Sequence, residues 1–137
     1  MRKMKLLGVL VIVLVAITFL GVVSAAEVEI GNQKFNLPDG FKEDVSSSKE
    51  MVSSSNSTTY VKKFTNDAGD SVLINVVTAP PNVVGVNLPD DADAKAKTIN
   101  GVNGSYNENG HKFSYINGTT MIIISGNNES VVEEFIK

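Results

Sequence analysis

The sequence has no cysteine, no tryptophan, a single histidine (His111), and no arginine beyond Arg2. Without cysteine there is no disulfide, no thiolate metal site and no cysteine to carry a lipid. One histidine and no cysteine leave zinc without its usual ligands, and they leave a nucleophilic triad or dyad with one possible base. Aromatics are sparse at six Phe and three Tyr, which weakens any stacking platform for nucleobases or sugars. No glycine-rich loop runs into Lys-Ser or Lys-Thr, so the phosphate cradle of a nucleotide-binding loop is missing. Neither cofactor nor metal is expected, and no residue is assigned a catalytic role.

What the sequence does have begins at the N-terminus. Arg2, Lys3 and Lys5 precede an unbroken apolar run from Leu6 to Leu20, which Gly21-Val22-Val23-Ser24-Ala25-Ala26 closes. A basic start, an apolar run and a small-x-small end are the marks of a secretory signal peptide. Residues 6–23 are also just long enough to span a bilayer, so an uncleaved signal anchor is the alternative. Either way the basic end stays in the cytoplasm, and the domain at 27–137 lies outside the cell. It is then secreted or held at the cell membrane. That domain carries nine Lys, no Arg and fifteen acids, a net charge of −6. Such a balance argues against nucleic acid or an anionic membrane surface as a partner. The expected partner is a protein or another envelope component, with membrane contact only through the N-terminal segment. About 110 residues suffice for a core without disulfides.

Turn chemistry organises the rest. Gly31-Asn32 splits Glu27–Pro38 into a hairpin, with Val28, Ile30, Phe35 and Leu37 on one face and Glu29 opposite Lys34. Pro38-Asp39-Gly40 is a turn. Residues 46–57 are Ser-rich and read as an exposed loop. Thr58–Thr65 and Ser71–Thr78 pair over residues 66–70, and the second of these is apolar enough to be a central strand. Residues 79–95 read as an ordered loop over the sheet edge, with a short helix expected from about Pro89 to Lys97. Asn109-Gly110 and Asn117-Gly118 suggest two type I′ hairpin turns. These put Asn107 opposite Lys112, Tyr106 opposite Phe113, Tyr115 opposite Thr120, and Phe113 opposite Ile122. Tyr106, Phe113, Tyr115, Ile122 and Ile124 then share the core face. Ser130 and Glu133 form a capping box for a last helix, with Asn127 or Asn128 as competing caps, and Val132, Phe135 and Ile136 face the sheet. The fold class is therefore α+β: an antiparallel sheet of hairpins and a meander, a C-terminal helix packed on it, and a hydrophobic signal or anchor helix in front.

Few residues offer chemistry. His111 beside Glu108 has the form of a base oriented by a carboxylate, though a turn-flanking surface pair has the same form. Asp90, Asp91 and Asp93, or the Asp67–Asp70 loop, could attract calcium, but neither has the EF-hand spacing. Helix-start acids and an ordinary hairpin loop explain them as well. Four sequons, at Asn56, Asn103, Asn117 and Asn128, are possible N-glycan sites, although composition alone predicts roughly two to three. Phe35-Asn36-Leu37-Pro38-Asp39-Gly40-Phe41, then Thr98-Ile99-Asn100-Gly101 with Gly104 and Tyr106, and the final meander and helix together resemble small exported or membrane-anchored proteins of methanogenic archaea, of unknown function. More weakly, they resemble extracytoplasmic domains of unknown function in bacterial anti-sigma and sporulation regulators. The resemblance implies an extracytoplasmic α+β domain and transfers no catalytic residue. The expectation is a non-enzymatic binding or sensing domain at the cell envelope. A small-ligand carrier with Val83–Leu88 as its lid is the alternative, and a hydrolase using His111 a remote one.

Overall fold

Alternation of apolar and polar residues decides most of the architecture. A computed structural model describes residues 26–53, 55–88 and 90–137. Strands β1 (Ala26–Ile30) and β2 (Gln33–Leu37) form the expected hairpin, with Glu29 opposite Lys34. Positive φ at Gly31 and Asn32 makes its turn. The main sheet holds β3 (Lys42–Glu43), β4 (Lys49–Val52), β5 (Thr58–Thr65), β6 (Ser71–Thr78), β7 (Lys95–Ile99), β8 (Val102–Asn107), β9 (Lys112–Asn117) and β10 (Thr120–Gly126). Its order is β3-β5-β6-β10-β9-β8-β7, with β4 beside β3 along β5. Every pairing is antiparallel. Helix α1 (Glu129–Phe135) follows. The described residues are thus mostly antiparallel sheet with one α-helix at the C-terminus, an α+β arrangement. The signal peptide or anchor expected at 1–26 lies, but for Ala26, outside the described residues. No helix among those described is long and apolar enough to cross a membrane.

One sheet face is the core face. Phe64, Val72, Ile74, Val76, Phe113, Ile122 and Ile124 bury there against Ile30 and Phe35 of the hairpin and Val131, Val132, Phe135 and Ile136 of the helical end. Phe135 meets Phe41 edge-on at 5.0 Å between ring centroids and Phe64 at 5.5 Å, geometries that aromatic quadrupoles favour. Two glycines allow close approach. A Cβ on Gly31 would lie 2.6 Å from the Tyr60 ring, and one on Gly104 would lie 2.4 Å from the Ser114 carbonyl oxygen. The hairpin tip therefore rests directly on β5, and the Phe113 ring covers Gly104.

Several expectations need correction. In the β9–β10 turn, Asn117 pairs with Thr120, Tyr115 with Ile122, and Phe113 with Ile124. The turn residues are Gly118 and Thr119, and positive φ falls on Gly118, as in a type II′ turn with glycine first. Between β8 and β9 the expected pairs hold, but positive φ falls on Gly110 and His111 and not on Asn109. The Ser-rich stretch is not all loop: it contains a 3-10 turn at Val45–Ser47 and edge strand β4. Hydroxyls hold it locally, with Ser46 and Ser47 donating to Asp44 and Ser48 donating to Glu43. No helix forms among the described residues 90–97 of the segment where one was expected, because nothing apolar recurs there to bury a helical face. The cap of α1 is Asn128, whose side chain accepts from the Val131 backbone N–H, so the helix starts one residue before Ser130.

Candidate functional site

The connection from β6 to β7 fixes where a site can form. It must travel from the middle of the sheet to its far edge, past β10, β9 and β8. The hairpin and helix occupy the core face, so the described residues of 79–94 reach the far edge by the outer one, where Leu88, Asp90, Asp91 and Ala94 line a cleft with Ser114 and Ile123. The described residues of this connection form a strap with no regular structure. The sequence placed this segment at the sheet edge; its last residues lie over the sheet instead. Asp91 fastens it. The Asn107 amide donates to Asp91 Oδ2 at 2.8 Å, the Asp93 backbone N–H donates to Asp91 Oδ1 at 3.2 Å, and Lys112 Nζ stands 3.8 Å away. These contacts, the Asn107 amide above all, hold the Asp91 carboxyl below the usual aspartate range.

Between strap and sheet lies a half-open cleft of about 330 Å³. Leu88, Asp90 and Ala94 line it from above, and Ser114, Lys112 and Ile123 from below. Strand alternation explains the floor. Phe113, Ile122 and Ile124 point to the core, so their neighbours Lys112, Ser114 and Ile123 point outward. Ser114 is 9 % exposed. A second cleft of about 440 Å³ opens at the same end of the sheet, lined by Asp93, Lys95, Lys97, Tyr106 and Glu108 among others, and shares Asn107 with the first. Asn107 is itself satisfied, since its Oδ1 accepts from the Asn109 backbone N–H.

His111 is on the core side of this end. Its Nδ1 lies 3.0 Å from the Tyr106 hydroxyl. With Glu108, the partner the sequence suggested, His111 shares a backbone bond, its N–H donating to the Glu108 carbonyl at 3.3 Å, and the imidazole turns to Tyr106 instead of the Glu108 carboxylate. The left-handed backbone at His111 (φ 46°) aims the ring at Tyr106. Lys97 sits over the Tyr106 ring, 5.1 Å from its centroid, and forms an ion pair with Glu129 of α1. The pair raises the Lys97 pKa and lowers that of Glu129, while burial pushes the Tyr106 hydroxyl up. The cluster ties the β7–β8 edge to the start of the helix.

No family model, curated protein or solved structure matches this chain. Among the described residues no three metal-ligating side chains gather into a metal site. Asp90, Asp91 and Asp93 are divided by the strap's own bonds: Asp91 holds the strap, and Asp90 faces the cleft. In the Asp67–Asp70 loop, Asp70 accepts from the Asn66 and Asn127 amides. Of the sequons, Asn56, Asn103 and Asn117 are exposed, and Asn128 is half-buried as the helix cap. The Asn117 amide donates to Gln33, and Asn103 accepts from the Thr98 hydroxyl. Sequence reasoning missed Ser114, Lys112 and Ile123. Their outward alternation was readable, but nothing local said that the connection from β6 to β7 would lie over them.

Proposed function

We propose that the chain is a non-enzymatic binding or sensing domain outside the cytoplasm, secreted or tethered to the cell membrane by residues 6–23. The basic start and apolar run support the location, as does the resemblance to small exported methanogen proteins. The observation that carries the binding role is the cleft under the strap, which gathers Asp90, Lys112 and Ser114 beside the aliphatic Leu88, Ala94 and Ile123. A concave site that combines a few polar groups with aliphatic surface is the usual form of a small-ligand site. The same observation favours a small-ligand carrier as the second reading. There Leu88 is the lid, because Val84, at the centre of the expected lid, is 99 % exposed. The Tyr106 contact gives His111 a structural part, linking the β8–β9 turn to the strand before it.

Whole-cell photo-cross-linking tests the role. A photoreactive side chain at position 90, beside the cleft, should give a discrete adduct retained with the envelope fraction. The same group at position 39, in the Pro38–Gly40 turn, should not. Equal labelling from both positions, or none from either, would contradict a macromolecular partner at this face and leave the small-ligand reading to stand or fall on direct ligand binding.

A further inference from the structure

We propose that the cleft beneath the strap takes a small zwitterion with an aliphatic side chain, in the manner of a free branched-chain α-amino acid. This rests on the binding role above and names its ligand class. The lining is sorted by chemistry. Asp90 supplies a carboxylate that no hydrogen bond or ion pair among the described residues engages. Lys112 supplies an ammonium whose one described ion-pair contact, to Asp91, is long at 3.8 Å. Three polar donors on one cation leave room for a second anion. Leu88, Ala94 and Ile123 supply aliphatic surface, and the Ser114 hydroxyl can donate or accept.

Other ligand classes fit less well. A simple anion would meet Lys112 but also Asp90 and Asp91. A simple cation would meet the acids and then Lys112. Sugars are commonly held on a flat aromatic face, and no aromatic ring lines this cleft. A zwitterion places opposite charges against opposite charges and buries its side chain on the aliphatic patch. The volume, about 330 Å³, admits such a molecule together with a few waters.

Calorimetry and amide chemical-shift mapping on the full-length chain, with L-leucine as the probe, test this. Saturable binding is expected, with shifts at residues 88–94, 112–114 and 123. Leucinamide, which lacks the carboxylate, and isocaproate, which lacks the ammonium, should each bind at least about tenfold more weakly. Asp90→Asn and Lys112→Gln should each cost about tenfold, and Lys112→Gln should erase the preference for leucine over leucinamide. Both positions are solvent-facing, so the variants should keep the parent spectrum elsewhere. Glucose binding in preference to leucine, leucinamide binding as well as leucine, or no saturable binding of leucine would overturn the proposal. None of these outcomes bears on where the protein resides, and position 90 cross-links would still report a larger partner.

Discussion

Asp70 shows how a single residue can tie two distant segments together. Its carboxylate accepts from Asn127 at 3.0 Å and from Asn66 at 3.1 Å, and Asn127 also accepts from the Ser71 backbone N–H. The β5–β6 loop is thereby stitched to the segment that leads into α1. The Asn127 and Asn66 bonds lower the Asp70 pKa below 3.8 against a smaller desolvation effect. A carboxyl with a lowered folded pKa contributes stability that is complete above its unfolded value. That contribution is lost as pH falls through the folded value. Thermal unfolding followed from about pH 6 down to about pH 3 should therefore show a steeper fall in Tm for the parent than for Asn127→Ala. Two curves that stay parallel over that range would show that the Asn127 bond does not favour the ionised carboxylate.

At the scale of elements, α1 holds the fold by its buried side and not by its own helix-forming strength. Seven residues are too few to be stable alone. Phe135 anchors it, fully buried between Phe41 and Phe64. Phe135→Ala should cost about 3–5 kcal/mol in urea denaturation, whereas Glu134→Ala, on the exposed side, should stay within about 0.5 kcal/mol. A cost below about 1 kcal/mol for Phe135→Ala would mean that the helix docks on the sheet without stabilising it. The elements were also where the sequence could be read best. Apolar alternation and Asn/Gly turns located β1, β2, β5, β6, β8, β9 and β10. The β9–β10 error was a shift of two residues, and a shift of two leaves every side chain on its own face. The core set of Tyr106, Phe113, Tyr115, Ile122 and Ile124 was therefore unaffected. Two short strands, β3 and β4, escaped because local signals were weak. Lys49–Val52 pairs with β5 in a serine-rich context, and all four of its residues are exposed. The strap's path depends on sheet order, which no local pattern encodes.

The whole molecule is a sheet with two unlike faces. Hairpin and helix close one, while the strap crosses the other and leaves a mixed-charge cleft at the β7–β8 end. Of that site, the sequence showed Asp90, Asp91 and His111 as residues worth attention, but it did not show their roles. The Asp91–Asn107 and Tyr106–His111 contacts arise from long-range and turn geometry. The extracytoplasmic location proposed above rests on the basic start and apolar run of residues 2–20. The most direct test is the intact mass of the native protein after separation of membranes from medium. A secreted domain gives a species starting near Ala26 or Glu27 in the medium, and a tethered one gives the full-length chain in the membrane. Sugar-sized increments on either species would mark occupied sequons. A full-length, unmodified chain in the cytosolic fraction would contradict the extracytoplasmic reading.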